Sequence, residues 1–287
     1  MKIQQYLDRL ENLSNKKIIV TGGTSGIGLS IVKHCLTKNA KVVVLARNMN
    51  KANEVKEHFL EHYPNNPIDI IRYDQSDDES IKAACETILK EHRDFFALIM
   101  NAGVFQSQKN MSYINEIPTT IKTNFVGVKE LLDGLLPFLN EEHRFIFQGS
   151  VAACLRDKKI KSLKDKNLKP FQQYMISKCG VESLFYHYAN EKNEKCSFYL
   201  VEPGVSGTDI IREFKTPIRQ MGRVFLKYCA HSPDKAALTA MLALQSGTQK
   251  NAFIVPRAFF TCAGFPKIKT FPHRRERKYL YDLLGEI

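Results

Sequence analysis

From Lys17 onward, short β-branched runs alternate with stretches of helical periodicity, and that alternation limits the fold more than any other feature of the chain. Apolar runs at 18–21, 40–46, 68–73, 95–101, 144–149 and 196–202 read as six strands, with a seventh at 252–255. Residues 25–38 and 50–62 read as the helices joining the first three. Helical crossovers imply parallel pairing, and strands apolar on both faces require helices on each side of the sheet. No internal repeat and no Ser/Gly- or Pro-rich linker divides the chain. The expected architecture is a single doubly wound α/β domain over 17–264. An N-terminal extension, 1–16, carries Ile3, Tyr6, Leu7, Leu10 and Leu13 at spacings of three and four, which predicts an amphipathic helix over 3–14 packed on the body. A basic segment, 265–287, closes the sequence.

Composition removes several alternatives. The 287 residues are 44% hydrophobic and 25% charged, which supports a globular core and excludes collagen-like or disordered chains. No apolar run approaches the roughly 18 residues of a membrane-spanning helix. Residues 1–10 carry charges where a secretory signal has an unbroken apolar stretch. The cysteines (Cys35, Cys85, Cys154, Cys179, Cys196, Cys229, Cys262) are odd in number and scattered, with no Cys-x-x-Cys pair, so a reducing cytoplasm is the expected location and no metal is expected. The net charge of +12 favours anionic partners. Helix-turn-helix and zinc-ligand spacings are lacking, so nucleic acid is not an expected partner. Six lysines between positions 158 and 169 form one basic stretch; Lys267, Lys269, His273, Arg274, Arg275, Arg277 and Lys278 form another. Both read as solvated surface. The first could also border a site mouth, and the second, with Phe265, Phe271, Tyr279 and Leu280, suits weak contact with an acidic membrane surface.

Between the first strand and the first helix stands Thr21-Gly22-Gly23-Thr24-Ser25-Gly26-Ile27-Gly28. In a chain with 15 glycines, three at these offsets should arise by chance about 0.04 times. Glycine here would permit a turn at Gly22, approach of a pyrophosphate to the backbone at Gly26, and close helix–sheet packing at Gly28. The N–H groups and dipole at the helix start then face the phosphates, so Thr21, Gly22, Thr24, Ser25, Gly26, Ile27 and Gly28 are candidate dinucleotide-binding residues of a Rossmann-type sheet. After the second strand an acidic residue would bind a ribose 2′-hydroxyl. The sequence instead reads Val44-Leu45-Ala46-Arg47-Asn48, and Arg47 offers a planar fork to a 2′-phosphate, which predicts NADP(H) over NAD(H).

With its G-x-x-x-G-x-G spacing behind Thr21, the loop resembles that of the short-chain dehydrogenase/reductase family, and further motifs follow in the family's order as far as Thr208. The resemblance implies that Asp74 contacts the adenine amino group and that Asn101-Ala102-Gly103 borders the cofactor. It implies that Pro203, Gly204, Val205 and Thr208 lie at the nicotinamide end. It also implies a small-molecule carbonyl or alcohol substrate and a homo-oligomer, dimeric or tetrameric.

Tyr174 and Lys178 lie four apart, on one face of a helix. Bringing a phenol of pKa near 10 into proton exchange at neutral pH needs a shift of up to roughly three units, which a fixed ammonium and an oxidised nicotinamide could supply. Tyr188 and Lys192 share the spacing, but Ser150 ends the fifth long strand at the carboxyl edge of the sheet, where open α/β folds place ligands. Tyr188 lies fourteen residues beyond Tyr174, about 21 Å along a helix, too far to share a carbonyl with Ser150. The family's fourth catalytic residue matches Asn124, in Lys122-Thr123-Asn124-Phe125. The implied reaction is hydride transfer between nicotinamide and a carbonyl or alcohol, with Ser150 bonding the carbonyl oxygen and Tyr174 exchanging the proton. Lys178 would tune the phenol and hold the ribose, and Asn124 would fix a water. Gly149 where many members have serine, the polar Gln148, and the long Ser150–Tyr174 interval depart from the common pattern; the interval and the Ala-Arg-Asn stretch look more like the retinol-dehydrogenase-like and carbonyl-reductase branch. Ile210, Ile211, Phe214, Ile218, Met221, Val224, Phe225 and Leu226 stand where the family keeps a substrate lid, and suggest a lipophilic substrate. The rival reading is a non-enzymatic NADP(H)-binding redox sensor or scaffold on the same fold.

Overall fold

The computed structural model describes residues 2–139, 142–155, 160–191, 196–204, 231–258, 263–272 and 277–287. Eight strands form one sheet: β1 (Lys17–Thr21), β2 (Lys41–Ala46), β3 (Ile68–Arg72), β4 (Ala97–Met100), β7 (His143–Gln148), β8 (Cys196–Val201), β9 (Phe253–Ala258) and β10 (Ala263–Lys269). A separate two-stranded hairpin pairs β5 (Tyr113–Ile114) with β6 (Ile117–Pro118). The sheet order is β10-β9-β8-β7-β4-β1-β2-β3, with every pairing from β3 to β9 parallel. The chain leaves β1 in one direction for β2 and β3, then returns to its other side at β4. The carboxyl ends of β1 and β4 therefore flank the point where the strand order reverses and a crevice opens.

Alternation along each strand divides the core in two. Ile19, Val43, Leu45, Leu98, Phe145 and Phe198 face α4 (Asp78–Glu91), α6 (Gly127–Leu135) and α7 (Pro170–Asn190). Ile18, Val20, Val42, Val44, Ile99 and Tyr199 face α2 (Gly26–Thr37), α3 (Met49–His62) and the short helices Pro233–Ala236 and Leu238–Ala243. Burial on both faces is what made these strands legible as apolar runs. The helix starts follow local chemistry: the Asn48 side chain caps α3 by accepting from the Lys51 N–H at 3.0 Å, and Asp77 caps α4 by accepting from Glu79.

Two boundaries and one surface reading differ from those expected. The N-terminal helix α1 (Ile3–Leu7) is far shorter than 3–14, because the chain turns after Leu7 to bury Leu13, whose N–H bonds the Lys38 carbonyl at 2.7 Å. The extension still packs on the body, with Tyr6 stacked on Phe265 at 5.2 Å. An eighth strand, β10, runs antiparallel to β9 across the boundary placed at 264/265, so the sheet is mostly parallel and residues 265–269 belong to it. The tail is also less of a surface than its charge suggested. Leu280, Leu283 and Leu284 enter the core, and the Arg277 guanidinium holds the fully buried Glu182 of α7 at 3.0 Å and the Ala153 carbonyl at 2.8 Å. His273, Arg274 and Arg275 lie outside the described residues.

Breaking a buried ion pair by removing one partner costs about 3–5 kcal/mol. Arg277→Met should lower unfolding stability by about that amount in a denaturant titration, with Arg277→Met/Glu182→Gln less destabilised than the sum of the single changes.

Candidate functional site

The glycine loop leaves β1 and enters α2 through two positions that require glycine. Gly26 has φ +53, and the place a Cβ would occupy has no heavy atom within 4 Å, so the backbone there is open to a ligand. At Gly28 a Cβ would stand 2.2 Å from the Gly22 carbonyl oxygen, closer than any side chain can come. Ser25 occupies the N-cap of α2 without a capping side-chain bond, which leaves the first-turn N–H groups for an anion. The loop is braced from behind: Thr21 is fully buried, its hydroxyl accepts from the Ala102 N–H at 2.9 Å, and the Asn101 amide donates to the Thr21 and Gly22 carbonyls at 3.1 and 3.4 Å. Thr21 and the Asn101 side chain thus shape the loop.

A groove of about 670 Å³ runs over this loop, lined by Gly22, Thr24, Ser25, Gly26, Ile27 and Gly28 on one side and by Arg47, Asp74, Asn101, Ala102 and Gly103 on the other. The open glycine backbone and the uncapped helix start fit the phosphates of a dinucleotide. Arg47 projects into solvent at the groove edge, 73% exposed, with Nη1 3.9 Å from Asp74 Oδ2. An exposed pair at that distance contributes little and leaves the guanidinium available. The other oxygen of Asp74 accepts from the Ser76 N–H and hydroxyl at 3.0 and 2.7 Å. Lys51, unnoticed in the sequence, lines the groove beside Arg47.

At the inner end of the groove the expected catalytic residues come together. A Cβ on Gly103 would stand 3.3 Å from Asn124 Oδ1 and 3.7 Å from Lys178 Nζ, so the Asn-Ala-Gly turn, Asn124 and Lys178 share one junction. Asn124 lies in a π-turn, Lys122–Val126, between α5 (Thr119–Ile121) and α6. Such a widened turn carries one extra residue, and it lets Asn124 point at Val104. Its Oδ1 accepts from the Val104 N–H at 2.7 Å, while Nδ2 donates to the Val104 carbonyl at 2.8 Å and to Ser177 Oγ at 3.1 Å. The Ser177 hydroxyl in turn donates to the Tyr174 carbonyl at 2.8 Å.

Ser150 follows β7 and stands close enough to the Tyr174 phenol for its hydroxyl to favour the phenolate. Phe105 packs its ring edge-on against Tyr174 at 5.7 Å. Burial raises the Tyr174 pKa, and the Ser150 hydroxyl only partly offsets this. In the chain alone, burial thus outweighs the groups that favour the phenolate. Lys178 Nζ stands 5.9 Å from the Tyr174 ring centre and donates to the Gln148 carbonyl at 3.0 Å. Burial brings its own pKa down to about 8. The Gln148 side chain is buried, and among the described residues neither of its polar atoms has a hydrogen-bond partner.

Two further residues brace the site. Gln75, nearly buried, donates to the Ala102 carbonyl at 3.2 Å and the Thr123 carbonyl at 2.7 Å, tying the Asn-Ala-Gly turn to the π-turn. His231 accepts from the Gly264 N–H through Nε2 at 2.7 Å, so its Nδ1 donates to the Pro203 carbonyl at 3.1 Å. That one-proton arrangement fixes a neutral tautomer beside the Pro203-Gly204 turn, and burial lowers the His231 pKa in the same sense. Tyr188 sits elsewhere, its hydroxyl donating to Asp133 at 3.2 Å in the core. Val205, Thr208 and the lid residues between 210 and 226 lie outside the described residues, as do Lys158 and Lys159. The rest of the lysine stretch is anchored by buried Ile160, Leu163 and Leu168, and Lys166 pairs with Glu116 at 3.3 Å.

Comparison with known proteins bears on the family and the fold. The family model described as short chain dehydrogenase matches residues 16–218. The short-chain dehydrogenase TIC 32 B, chloroplastic, of Brassica napus is 37% identical over 109 residues, which span 38% of this chain and 34%, about a third, of that relative. Polyprenol dehydrogenase of Homo sapiens is 24% identical over 78% of this chain and 71% of its own, and carbonyl reductase [NADPH] 1 of Mus musculus is 27% identical over 58% of each. Among solved structures, an uncharacterized protein from Mycobacterium Paratuberculosis superposes with a TM-score of 0.76 at 17% identity, covering 98% of this chain and 96% of its own. A short chain dehydrogenase from Burkholderia cenocepacia in complex with NADP gives 0.65 at 20% identity, covering 82% and 92%. Among the described residues, no helix is long and apolar enough to cross a membrane.

Because the folded pKa of Lys178 is depressed to about 8 from 10.5, its charged form is penalised in the fold by about 3 kcal/mol below pH 8. The folded chain then binds fewer protons than the unfolded chain between those values, so this cost fades as pH rises from about 8 toward 10.5. Lys178→Met should therefore be more stable than the parent near neutral pH. Thermal melts across that window should show the advantage shrinking as pH rises.

Proposed function

The chain belongs to the short chain dehydrogenase family, and on that footing we propose that it is an NADP(H)-dependent oxidoreductase interconverting a carbonyl and an alcohol. The observation that carries the reading is the gathering of Ser150, Tyr174, Lys178 and Asn124 at the inner end of the groove. Mouse carbonyl reductase and the NADP complex from Burkholderia cenocepacia support the cofactor and reaction class.

The glycine loop and the start of α2 would hold the pyrophosphate, and Arg47 with Lys51 would receive the 2′-phosphate. When bound, the cofactor supplies hydride chemistry at a carbonyl carbon. In the reducing direction Ser150 donates a hydrogen bond to the carbonyl oxygen and Tyr174 delivers its proton there. Both interactions strengthen as charge develops on that oxygen, which is where they accelerate the reaction. The ammonium of Lys178 stabilises the phenolate left behind, and its burial makes that charge count for more than it would in water. Asn124 acts through Val104 and Ser177 to hold the Tyr174 turn in place. A lipophilic substrate accords with the apolar sequence between 210 and 226.

Tyr174→Phe should reduce NADPH-dependent carbonyl reduction by about 10²–10⁴-fold and leave NADPH affinity near that of the parent. A panel of aldehydes, ketones and quinones with no turnover by the parent chain would instead favour a redox sensor or scaffold. Arg47→Ala should erase an NADPH-over-NADH preference of about tenfold or more, measured as the ratio of the two kcat/KM values.

A further inference from the structure

The outer face of α3 carries a side-chain cluster that the proposed reaction does not use. His58, Glu61 and His62 stand at positions i, i+3 and i+4, so the helix turns all three to one side. One ligand atom from each lies within 4.8 Å of the other two, and all three residues are exposed. The ring centroids of His58 and His62 are 4.8 Å apart. From this arrangement we propose that the α3 face is a binding site for a divalent transition-metal ion of the zinc, nickel or cobalt kind.

Three features give the cluster the character of a ligand set. Nδ1 of His62 lies 2.9 Å from the His58 carbonyl oxygen, a bond in which the ring nitrogen is the donor. With Nδ1–H committed there, the neutral imidazole presents its Nε2 lone pair outward, the orientation that a backbone carbonyl imposes on metal-binding histidines. The helix is a rigid support, since Ala52 and Phe59 of the same helix are buried in the core. Two imidazoles and one carboxylate suit borderline transition metals better than magnesium or calcium, which take oxygen-only sets. Three protein ligands leave further positions to water, so the site is open and reversible, unlike a closed structural zinc site.

The site is separate from the catalytic junction. His58 and His62 line a second cavity, about 730 Å³, which adjoins the groove through Thr24, Ser25, Gly26 and Lys51. His58, Glu61 and His62 do not line the groove itself, so an ion held by them does not depend on the proposed hydride chemistry.

The test is a calorimetric titration of the tag-free full chain with zinc chloride, paired with cobalt(II) absorption spectra. The proposal expects one equivalent of zinc bound by the parent and a cobalt spectrum with d–d bands but no thiolate charge-transfer band. His62→Gln should weaken binding by about tenfold or more, at least the scale that loss of an outer-shell partner produces. His58→Gln, tested alongside, should do the same should His62→Gln fail to fold, and both variants should retain the parent's carbonyl-reducing activity. Absence of zinc binding by the parent, unchanged affinity in the histidine variants, or a cobalt spectrum dominated by thiolate bands would each overturn it.

Discussion

The buried ammonium of Lys178 is the constraint around which the site is organised. An isolated charge in the interior is costly, and here the cost shows as a pKa brought down to about 8. The Gln148 carbonyl at the end of β7 accepts one of its hydrogens. Because that carbonyl, the α7 helix and the Gly103 turn must all be in place to receive Lys178, the junction of three elements is set with it. The same burial raises the Tyr174 pKa, so the cofactor-free site holds its phenol protonated. In the proposed reaction, proton exchange would await the positive charge of an oxidised nicotinamide, coupling Tyr174 to the occupancy of the groove.

Sheet topology explains why these parts can meet. Thr21, Arg47, Asp74, Asn101 and Ser150 lie far apart in sequence, but each ends or follows a parallel strand, and parallel strands put their carboxyl ends on one edge. The reversal between β1 and β4 opens that edge. Much of the polar bonding nearby is directed to backbone atoms: Asn101 to the loop, Gln75 to two turns, Asn124 to Val104, His231 to Pro203 and Gly264. These bonds tie the ends of the regular elements to the turns between them.

Legibility in the sequence followed the range of the interaction. Strands buried on both faces, such as 41–46, announced themselves as continuous apolar runs. The glycine loop was legible because glycine at Gly26 and Gly28 answers local backbone demands. Choosing Tyr174 over Tyr188 needed only distance along one helix and the position of Ser150. What could not be read depended on distant partners. β10 has a partly exposed, Pro- and Lys-containing sequence, and it is a strand because β9 offers an edge. The π-turn at Asn124 breaks helical periodicity by one residue, and Gln75 and His231 acquire roles only from backbone groups brought to them by folding. The basic tail concealed an anchor, since Arg277 takes its meaning from Glu182, 95 positions earlier.

The central claim is that the chain's own groups keep Tyr174 protonated until the groove fills, and tyrosine ionisation observed directly tests it. The chain labelled with ¹³Cζ-tyrosine should be titrated by NMR with and without NADP⁺, with Tyr174→Phe assigning the resonance. The account predicts no ionisation of Tyr174 below the free-phenol value of about 10 without cofactor, and a clear downward shift when NADP⁺ is bound. A Tyr174 resonance that titrates identically in both samples would contradict it.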